Sequence, residues 1–323
     1  MITFGILSTS SIAPRFIAGV REAGVGQILA LSSRSLEKAR EKAAAWGIPT
    51  AYGSHEELLA DKRINTVYIS AVNAAHYQWA KASLDAGKHV ICEKPCTTSE
   101  AQTRELFDLA KQKGLFLMEA QKMLFLPAVL AVKEAIDSGK LGKIRMAEFN
   151  HSFYGSYNNW MYDEAAGGGP LLSSGIYVIE LLQFLFDCDI AEIHGFATCH
   201  PGTNVEESYA VSGRMENGVL FSMKNSTTAL MQNSACIYGE KGYAEIPEYW
   251  KARRVIFCDH KTQDVQEFPC DHELQYEARH IADCLEKGLL ESPVVTGEFS
   301  ARAIRTLEKI KANWQMEMPI SQP

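Results

Sequence analysis

The chain has 323 residues, of which 46% are hydrophobic and 22% charged, so it is long enough for two domains with ordinary cores. Its net charge of -7 argues against nucleic acid or an anionic membrane as the main partner. The eight cysteines include no C-x-x-C pair, which disfavours zinc ribbons and thioredoxin-like chemistry and indicates reduced thiols. We therefore expect a cytoplasmic protein without a metal site, and the strand at its N-terminus leaves no room for a signal peptide.

Predicted strands and helices alternate through the first part of the chain. Residues 2–7 predict a strand, residues 8–11 a turn of small side chains, residues 12–23 a helix and residues 28–32 a second strand. This βαβ unit has the size of a dinucleotide-binding half. The pattern continues with strands at 66–71, 89–92 and 115–119 and helices at 56–60, 76–86 and 99–113. Such alternation predicts a doubly wound parallel sheet.

The turn after the first strand has serines where dinucleotide-binding turns usually have glycines. Ser8 and Ser10 occupy two of these positions, and Ala13 occupies the third. Serine still permits close approach to a phosphate, and its hydroxyl and the helix N-terminus can donate hydrogen bonds. The alternative is a serine that caps an ordinary helix, and the turn alone does not separate the two interpretations. The predicted phosphate contacts are Ser8, Thr9, Ser10, Ser11 and Ile12.

Basic residues follow the second strand. An NAD-preferring domain usually has an acidic residue at this point, whereas an arginine can bind the 2′-phosphate of NADP. Ser33 and Arg34 stand there, and Lys38 lies one helical turn further on. These three residues predict that NADP(H) is favoured, with NAD(H) possible. The alternative is the solvated basic start of a helix.

The stretch from Gly87 to Pro95 is the most informative part of the sequence for the position of a site. Residues 89–92 form a short apolar run typical of a buried parallel strand, and Glu93 and Lys94 follow at its carboxyl end. In open α/β sheets that edge faces the ligand crevice. Because Pro95 lacks an N–H group, the strand cannot continue through it. A lysine held there could bind a substrate oxygen or move a proton; the alternative is a surface charge pair before a turn.

The second part of the chain begins with a predicted helix at 127–138 and a strand at 143–152. The polar and aromatic loop that follows suits a sugar-like substrate, because rings cover C–H faces while amides bind hydroxyls. Its candidate contacts are Tyr154, Asn159 and Trp160, and an ordinary surface loop is the alternative.

An apolar helix is predicted from Leu171 to Phe186, with Ser173 and Tyr177 one turn apart on one face. It is too short to span a bilayer. A buried tyrosine on a helix is more often a packing residue than a catalytic one. Six strands are predicted from 193 to 258, with a hairpin at Asn217-Gly218. Their exposed face needs a cover, and self-association would supply it.

Two helices close the chain, at 273–287 and 297–314. The ionisable residues from Glu273 to His280 are expected on the helix surface. The alternative is that His272 or His280 reaches the substrate site.

Six stretches together resemble the Gfo/Idh/MocA oxidoreductase family, and the resemblance spans essentially the whole chain. They are residues 5–13, Ser33-Arg34, residues 73–76, residues 86–95, residues 118–120 and the glycine-rich block 167–177. The resemblance implies a Rossmann domain over 1–121 that binds NAD(P). It also implies an α/β domain over 122–323, with an open and largely antiparallel sheet used for dimerisation. The last helix could pack back on the first domain.

The resemblance also implies site residues. Lys94 matches the family's active-site lysine, and Tyr177 matches its general acid/base position. An ammonium group beside a tyrosine favours tyrosinate and lowers the pKa of the phenol from its reference value of about 10. The further cofactor contacts are Ala71, Asn73, His76 and Glu93, and the substrate contacts in the glycine-rich block are Ser173 and Tyr177.

Several positions depart from the family pattern. Ser8 and Ser10 replace glycines, Ser173 replaces a frequent aspartate, and Leu124 replaces an arginine. We expect an enzyme that transfers a hydride between NADP(H) and the hydroxyl or carbonyl carbon of a sugar, polyol or related small molecule. The alternatives are a dihydrodiol-type dehydrogenase and a cofactor-binding sensor without turnover. The sequence does not identify the substrate, the direction of the reaction or the size of the oligomer.

Overall fold

The computed structural model describes residues 1–153 and 159–317. The chain folds into two compact units. The first unit comprises residues 1–122 and 271–301, and the second comprises residues 123–270 and 302–323.

The first unit is a doubly wound α/β fold. Its strands are β1 (Thr3–Leu7), β2 (Gln27–Ser32), β3 (Thr50–Tyr52), β4 (Thr66–Ile69), β5 (His89–Glu93) and β6 (Leu117–Ala120). The helices between them are α1 (Ala13–Ala23), α2 (Leu36–Trp46), α3 (His55–Ala60), α4 (His76–Asp85) and α5 (Glu100–Lys113). The strands run parallel in the order β3-β2-β1-β4-β5-β6. The predicted Rossmann architecture is confirmed.

Local chemistry explains where these elements begin and end. The side chain of Ser54 accepts a hydrogen bond from the Glu57 amide and so caps the start of α3. Gly47 ends α2 in the left-handed conformation, with a φ of 63°. The central strands β1, β4 and β5 consist mostly of buried apolar residues, as a sheet covered by helices on both faces requires. Only β3 was missed, because three half-buried residues carry no periodic signal.

The second unit is built on a mixed sheet. Its strands are β7 (Ile144–Ser152), β8 (Ile190–Cys199), β9 (Glu206–Met215), β10 (Leu220–Ser226), β11 (Ser234–Gly239), β12 (Tyr243–Pro247), β13 (Arg254–Cys258), β14 (Gln263–Glu267) and β15 (Gln315–Glu317). Within the described chain they form one sheet in the order β14-β13-β12-β11-β7-β10-β9-β8-β15. Only the pairs β7–β10 and β8–β15 are parallel. The expectation of a largely antiparallel sheet is confirmed.

The remaining helices are α6 (Pro127–Asp137), α7 (Ile176–Phe186), α8 (Leu274–Glu286) and α9 (Gly297–Asn313). The predicted hairpin is present, since Gly218 has a φ of 88° and joins β9 to β10. All eight cysteines are free thiols.

The helical stretch before β8 is longer than predicted. Residues 171–175 are π-helical and continue into α7, and the whole stretch from Glu164 to Phe186 has 23 residues. It is long and apolar enough to cross a membrane, but 83% of its most apolar window is buried inside the protein. The expectation that it is too short to span a bilayer was therefore wrong. Glu180 and Gln183 are buried as well, because the helix is enclosed by its own unit.

Candidate functional site

Four loops of the first unit meet at the carboxyl edge of its sheet. The chain leaves β1 between β2 and β4, where the strand order reverses, and ligands bind at such points in doubly wound folds. The Ser8 amide donates to the Ser32 carbonyl, and the Ser70 amide donates to the Leu7 carbonyl, each over 3.2 Å. The residues predicted to bind a cofactor after β1, β2, β4 and β5 therefore share one edge.

The turn at residues 8–12 has a conformation that suits phosphate binding. Ser8 has a φ of 94°, a left-handed conformation that favours glycine. Helix α1 begins at Ala13 without a side-chain cap, so the capping alternative for the serines is not observed. The buried Ser10 hydroxyl oxygen has no hydrogen-bond partner in residues 1–153 and 159–317. An uncapped helix N-terminus and an unpaired hydroxyl are the groups that a dinucleotide pyrophosphate would engage.

The basic residues after β2 face solvent. Ser33 is buried, whereas Arg34 and Lys38 are exposed and form no ion pair with any residue of the described chain. Ser35, rather than Arg34, caps α2 by accepting a hydrogen bond from the Lys38 amide. The two cations therefore stay available to an anionic ligand.

The His76 imidazole joins the loops after β4 and β5. One ring nitrogen lies 2.8 Å from the carbonyl oxygen of Pro95 and the other lies 3.1 Å from that of Ala71. Burial lowers the pKa of this imidazole, although both carbonyls favour the charged form. Asn73 is buried beside it in a short 3₁₀ turn, Asn73–Ala75. His76 therefore connects the loops after β4 and β5, and its contact with the cofactor stays a prediction.

Strand β5 ends at Glu93, and the Lys94–Pro95 peptide bond that follows is cis. The Tyr68 hydroxyl donates a hydrogen bond to Glu93, and the Tyr68 ring stacks on Phe16 at 3.7 Å. Glu93 and Lys94 are both half-buried at the carboxyl edge. A simple surface charge pair would be exposed, so that alternative loses support.

The glycine-rich block of the second unit, residues 167–177, packs closely against backbone atoms and a carboxylate. A Cβ on Gly168 would lie 2.5 Å from the Met161 carbonyl oxygen, and Gly169, with a φ of 103°, lies against the Glu206 carboxylate. Glu206 accepts a hydrogen bond from the Leu171 amide and so caps the π-helical turn. Burial raises the pKa of this carboxyl. This packing fixes the turn that leads into Tyr177, which is 6% exposed.

Comparisons with known proteins agree with this geometry. Residues 2–121 match a model of the oxidoreductase family with an NAD-binding Rossmann fold, and residues 129–245 match a model of the GFO/IDH/MocA C-terminal domain. The chain is 33% identical to trans-1,2-dihydrobenzene-1,2-diol dehydrogenase of Mus musculus, with 96% of both chains covered. It is 31% identical to the Homo sapiens enzyme of the same name, again with 96% of both chains covered.

The chain belongs to the Gfo/Idh/MocA oxidoreductase family. Two solved structures share its fold. A 3-ketoreductase from Actinomadura kijaniata, in complex with NADP and TDP-benzene, has a TM-score of 0.89 at 21% identity, covering 98% of this chain and 99% of that one. Aldose-aldose oxidoreductase from Caulobacter crescentus, complexed with glycerol, has a TM-score of 0.87 at 21% identity, covering 96% of each chain.

The predicted substrate residues of this Gfo/Idh/MocA member divide into three groups. Tyr154 lies outside the described residues. Asn159 begins a 3₁₀ helix, Asn159–Tyr162, in which Trp160 is half-buried. The Ser173 hydroxyl donates to the Gly169 carbonyl over 2.8 Å, a contact within the turn itself.

Sequence reasoning missed an aromatic cluster in the second unit. The His151 ring stacks on Trp250 at 4.1 Å and lies 4.2 Å from the ring of Phe153. The hydroxyl of Tyr249 lies 3.1 Å from a His151 ring nitrogen. The period-2 pattern of β7 places His151 and Phe153 on one face, but no local signal brings in Trp250 from beyond β12.

Three buried charged residues of the first unit were also missed. Glu273 and Glu277 were expected on the surface of α8, and that was wrong. Glu273 forms an ion pair with Arg15, and Glu277 is fully buried. Lys122, two residues after the end of β6, is buried too. His280 lies 2.8 Å from the Ser292 hydroxyl instead of reaching a substrate site. No group of three metal-binding side chains is found among the described residues.

Proposed function

We propose that this chain is an NADP(H)-linked dehydrogenase or reductase acting on the hydroxyl or carbonyl carbon of a small polar molecule. The observation that carries the proposal is the position of Lys94. Lys94 follows β5 on the same sheet edge as the turn at residues 8–12, in which the Ser10 hydroxyl has no hydrogen-bond partner among the described residues. Family membership supplies the redox class.

Each proposed catalytic group has one task. The bound nicotinamide supplies the hydride chemistry. The Lys94 ammonium stabilises negative charge on the substrate oxygen, and the Tyr177 hydroxyl gives a proton to that oxygen in reduction and its phenolate takes one in oxidation. The turn at 8–12 orients the cofactor through its backbone and serine groups.

The substrate is proposed from the relatives and from the aromatic cluster. The relatives that align over almost the whole chain are named trans-1,2-dihydrobenzene-1,2-diol dehydrogenases. The described neighbours in fold include sugar oxidoreductases. Phe153, half-buried beside the buried rings of His151 and Trp250, offers an apolar ring to a flat or ring-shaped substrate. A cyclic vicinal diol or a sugar ring satisfies both lines of support.

The preference for NADP over NAD is supported by two exposed cations that form no ion pair with the residues that the structure describes. Arg34 offers a planar guanidinium to the 2′-phosphate, and Lys38 adds a second charge one helical turn away. We expect Arg34→Ala to weaken NADPH binding about 10-fold or more while changing NADH binding less than threefold, because only NADPH carries the 2′-phosphate. Glu37→Ala, at an exposed position of the same helix, is the control. Equal NADPH affinity of wild type and Arg34→Ala would exclude Arg34 from binding the 2′-phosphate.

The proposed function is tested first by fluorescence titration with NADPH and NADH. Oxidation of trans-1,2-dihydrobenzene-1,2-diol, levoglucosan and a panel of aldoses by NADP⁺ and NAD⁺ follows. We expect micromolar or tighter NADPH binding and turnover of at least one panel member. Binding without turnover would favour the sensor alternative, and binding of neither cofactor would refute both.

We also propose that the outer face of the second sheet is covered by another copy of the chain, in a cytoplasmic homodimer. Three apolar side chains on that face are 48–63% exposed: Met146, Phe196 and Leu220. Leu220 and Met146 are register partners on β10 and β7. An apolar face of this kind needs a partner.

A further inference from the structure

Tyr68 is a side chain with a polar group in the middle of the first sheet. It lies on β4, between β1 and β5, and is 0% exposed. Central strands of a parallel sheet covered on both faces usually carry apolar side chains, which make no hydrogen bonds. A tyrosine buried there needs a hydrogen-bond partner for its hydroxyl. The Tyr68 hydroxyl is therefore a group that filling the core does not require.

The register of β4 and β5 determines what the Tyr68 hydroxyl can reach. Tyr68 is the register partner of Ile91, and side chains two positions apart on a strand share a face of the sheet. Glu93 therefore stands on the same face as Tyr68, one step closer to the carboxyl edge. Its carboxylate accepts the hydrogen bond that the Tyr68 hydroxyl donates. A hydrogen bond to a carboxylate is stronger than one between neutral groups.

The ring of Tyr68 makes a second contact, with helix α1. It stacks on the ring of Phe16, with 3.7 Å between the ring centroids and 3° between the ring planes. Phe16 is fully buried in the first turn of α1, directly after the turn at residues 8–12 where the cofactor phosphates are proposed to bind. Tyr68 therefore contacts both the helix that follows the phosphate turn and the end of the strand that precedes Lys94.

We propose that Tyr68 is a positioning residue for the reaction, because its hydroxyl fixes the Glu93 carboxylate at the end of β5. This inference rests on the proposed function, with Glu93 as the predicted cofactor contact and Lys94 as the cation at the substrate oxygen. Without the hydroxyl, the carboxylate can rotate toward the ammonium of Lys94, the next residue in the chain. An ion pair between the two would withdraw positive charge from the substrate oxygen. Tyr68 is fully buried and is not required to touch the substrate.

The two contacts of Tyr68 can be separated by one substitution. Tyr68→Phe removes the hydroxyl and keeps the ring that stacks on Phe16, so the phosphate turn is expected to stay intact. We expect the rate of hydride transfer in a single turnover to fall about tenfold, the size of a hydrogen bond to a charged group, while the Kd for NADPH changes less than about threefold. An unchanged rate of hydride transfer would overturn the proposal while leaving the enzyme function intact.

Tyr52→Phe is the matched control. The Tyr52 hydroxyl donates a hydrogen bond over 2.8 Å to the Asp61 carboxylate, in the same unit and on a different strand. Both variants lose one hydrogen bond between a tyrosine and a carboxylate, so their stabilities are expected to fall by similar amounts. Only Tyr68→Phe is expected to slow hydride transfer. An equal loss of rate in the two variants would show a general effect of stability and would overturn the positioning role.

The action of Tyr68 through Glu93 is tested by a double variant. In Glu93→Ala no carboxylate remains for the hydroxyl to hold. Adding Tyr68→Phe is therefore expected to lower the rate less than about twofold further, because residues that act through one contact have non-additive effects. A further loss of about tenfold would mean that Tyr68 acts by another route, and would overturn the proposal.

A final measurement needs neither cofactor nor turnover. Urea unfolding of wild type, Tyr68→Phe, Glu93→Ala and the double variant forms a double-mutant cycle. We expect non-additivity of on the order of tenfold in the unfolding equilibrium constant, the size of a hydrogen bond between a buried hydroxyl and a carboxylate. Additive effects would refute the contact. Absence of turnover on the whole panel would count against the proposed function, and the unfolding cycle would still decide whether Tyr68 holds Glu93.

Discussion

At the scale of single residues, the candidate site is a set of side chains whose roles depend on burial. Lys94 and Tyr177 came from motif positions in the sequence. Their surroundings differ: Lys94 is half-buried at a sheet edge, and Tyr177 is buried in the second unit. His76 is predicted to lie near the cofactor, and its buried ring bridges two carbonyl oxygens. Residue type gave the chemistry, and burial decided which groups are available for it.

We expect Lys94→Met and Tyr177→Phe each to lose at least about 100-fold in kcat, the size of a general acid–base contribution. Lys94→Met removes the charge at the substrate oxygen, and Tyr177→Phe removes only the hydroxyl. Steady-state kinetics checks both, and NADPH titration shows whether binding is kept. Tyr243→Phe, a half-exposed tyrosine on β12, is the control. Near-normal turnover of Tyr177→Phe would exclude Tyr177 as the proton donor.

At the scale of elements, two features of the first unit favour glycine: the turn from β1 to α1 and the crossing of α1 and α8. The crossing has a glycine, and the turn does not. The turn from β1 to α1 has a left-handed residue at its first position, and that residue is Ser8. The crossing of α1 and α8 has Gly19, where any Cβ would meet backbone atoms of Leu274 and Gln275. Ser8 is therefore a strained replacement of glycine, whereas a glycine is required at position 19.

We expect Ser8→Gly to stabilise the protein by about 1 kcal/mol, because a left-handed conformation costs a residue with a Cβ roughly that much. Ser10→Gly is the matched control and should be destabilising, since Ser10 does not have a positive φ. Chemical denaturation measures both. Equal effects of the two substitutions would show that the turn is not strained at Ser8.

We expect Gly19→Ala to destabilise the protein by about 1–3 kcal/mol, the usual cost of overpacking. The added Cβ would stand 2.7 Å from the Leu274 carbonyl carbon and 2.9 Å from the Gln275 amide, neither of which can rotate away. Glu22→Ala, at an exposed position of α1, is the control. The free energy of unfolding in urea provides the measurement. A stability equal to that of the control would mean that α1 and α8 pack less closely than described.

At the scale of the whole molecule, the proposed homodimer depends on the outer face of the second sheet. Phe196 on β8 is 63% exposed, and Met146 and Leu220 continue the apolar strip across β7 and β10. Ion pairs between Lys224 and Glu148 and between Arg214 and Glu192 lie among these strands. An apolar strip with charged pairs beside it is typical of an interface between copies.

We expect the wild type to elute at a mass of at least twice the 35.8 kDa of one chain in size-exclusion chromatography with light scattering. Phe196→Asp should shift it toward monomer, because the charge would be buried without a partner. Leu130→Asp is the control, since Leu130 is 45% exposed on α6 and does not belong to the sheet. A monomeric wild type would contradict the proposed cover.

Local patterns in the sequence determined much of this protein. Strands, helices, the hairpin at Asn217-Gly218 and the two motifs around Lys94 and Tyr177 were predictable, because each depends on periodicity, turn residues or contiguous positions. Three-residue β3 and the strands β14 and β15 were not, since short or exposed segments carry little periodic signal.

Only the tertiary structure buried Glu277 and Lys122 and placed Trp250 beside His151. His151 and Trp250 lie more than ninety positions apart in the sequence. The charge of a glutamate looks the same in sequence whether its helix face is solvated or buried. Burial and distance set the pKa of such groups, and both are properties of the folded chain. The sequence therefore contained the family and its reaction class, whereas the fold decided which charges act together.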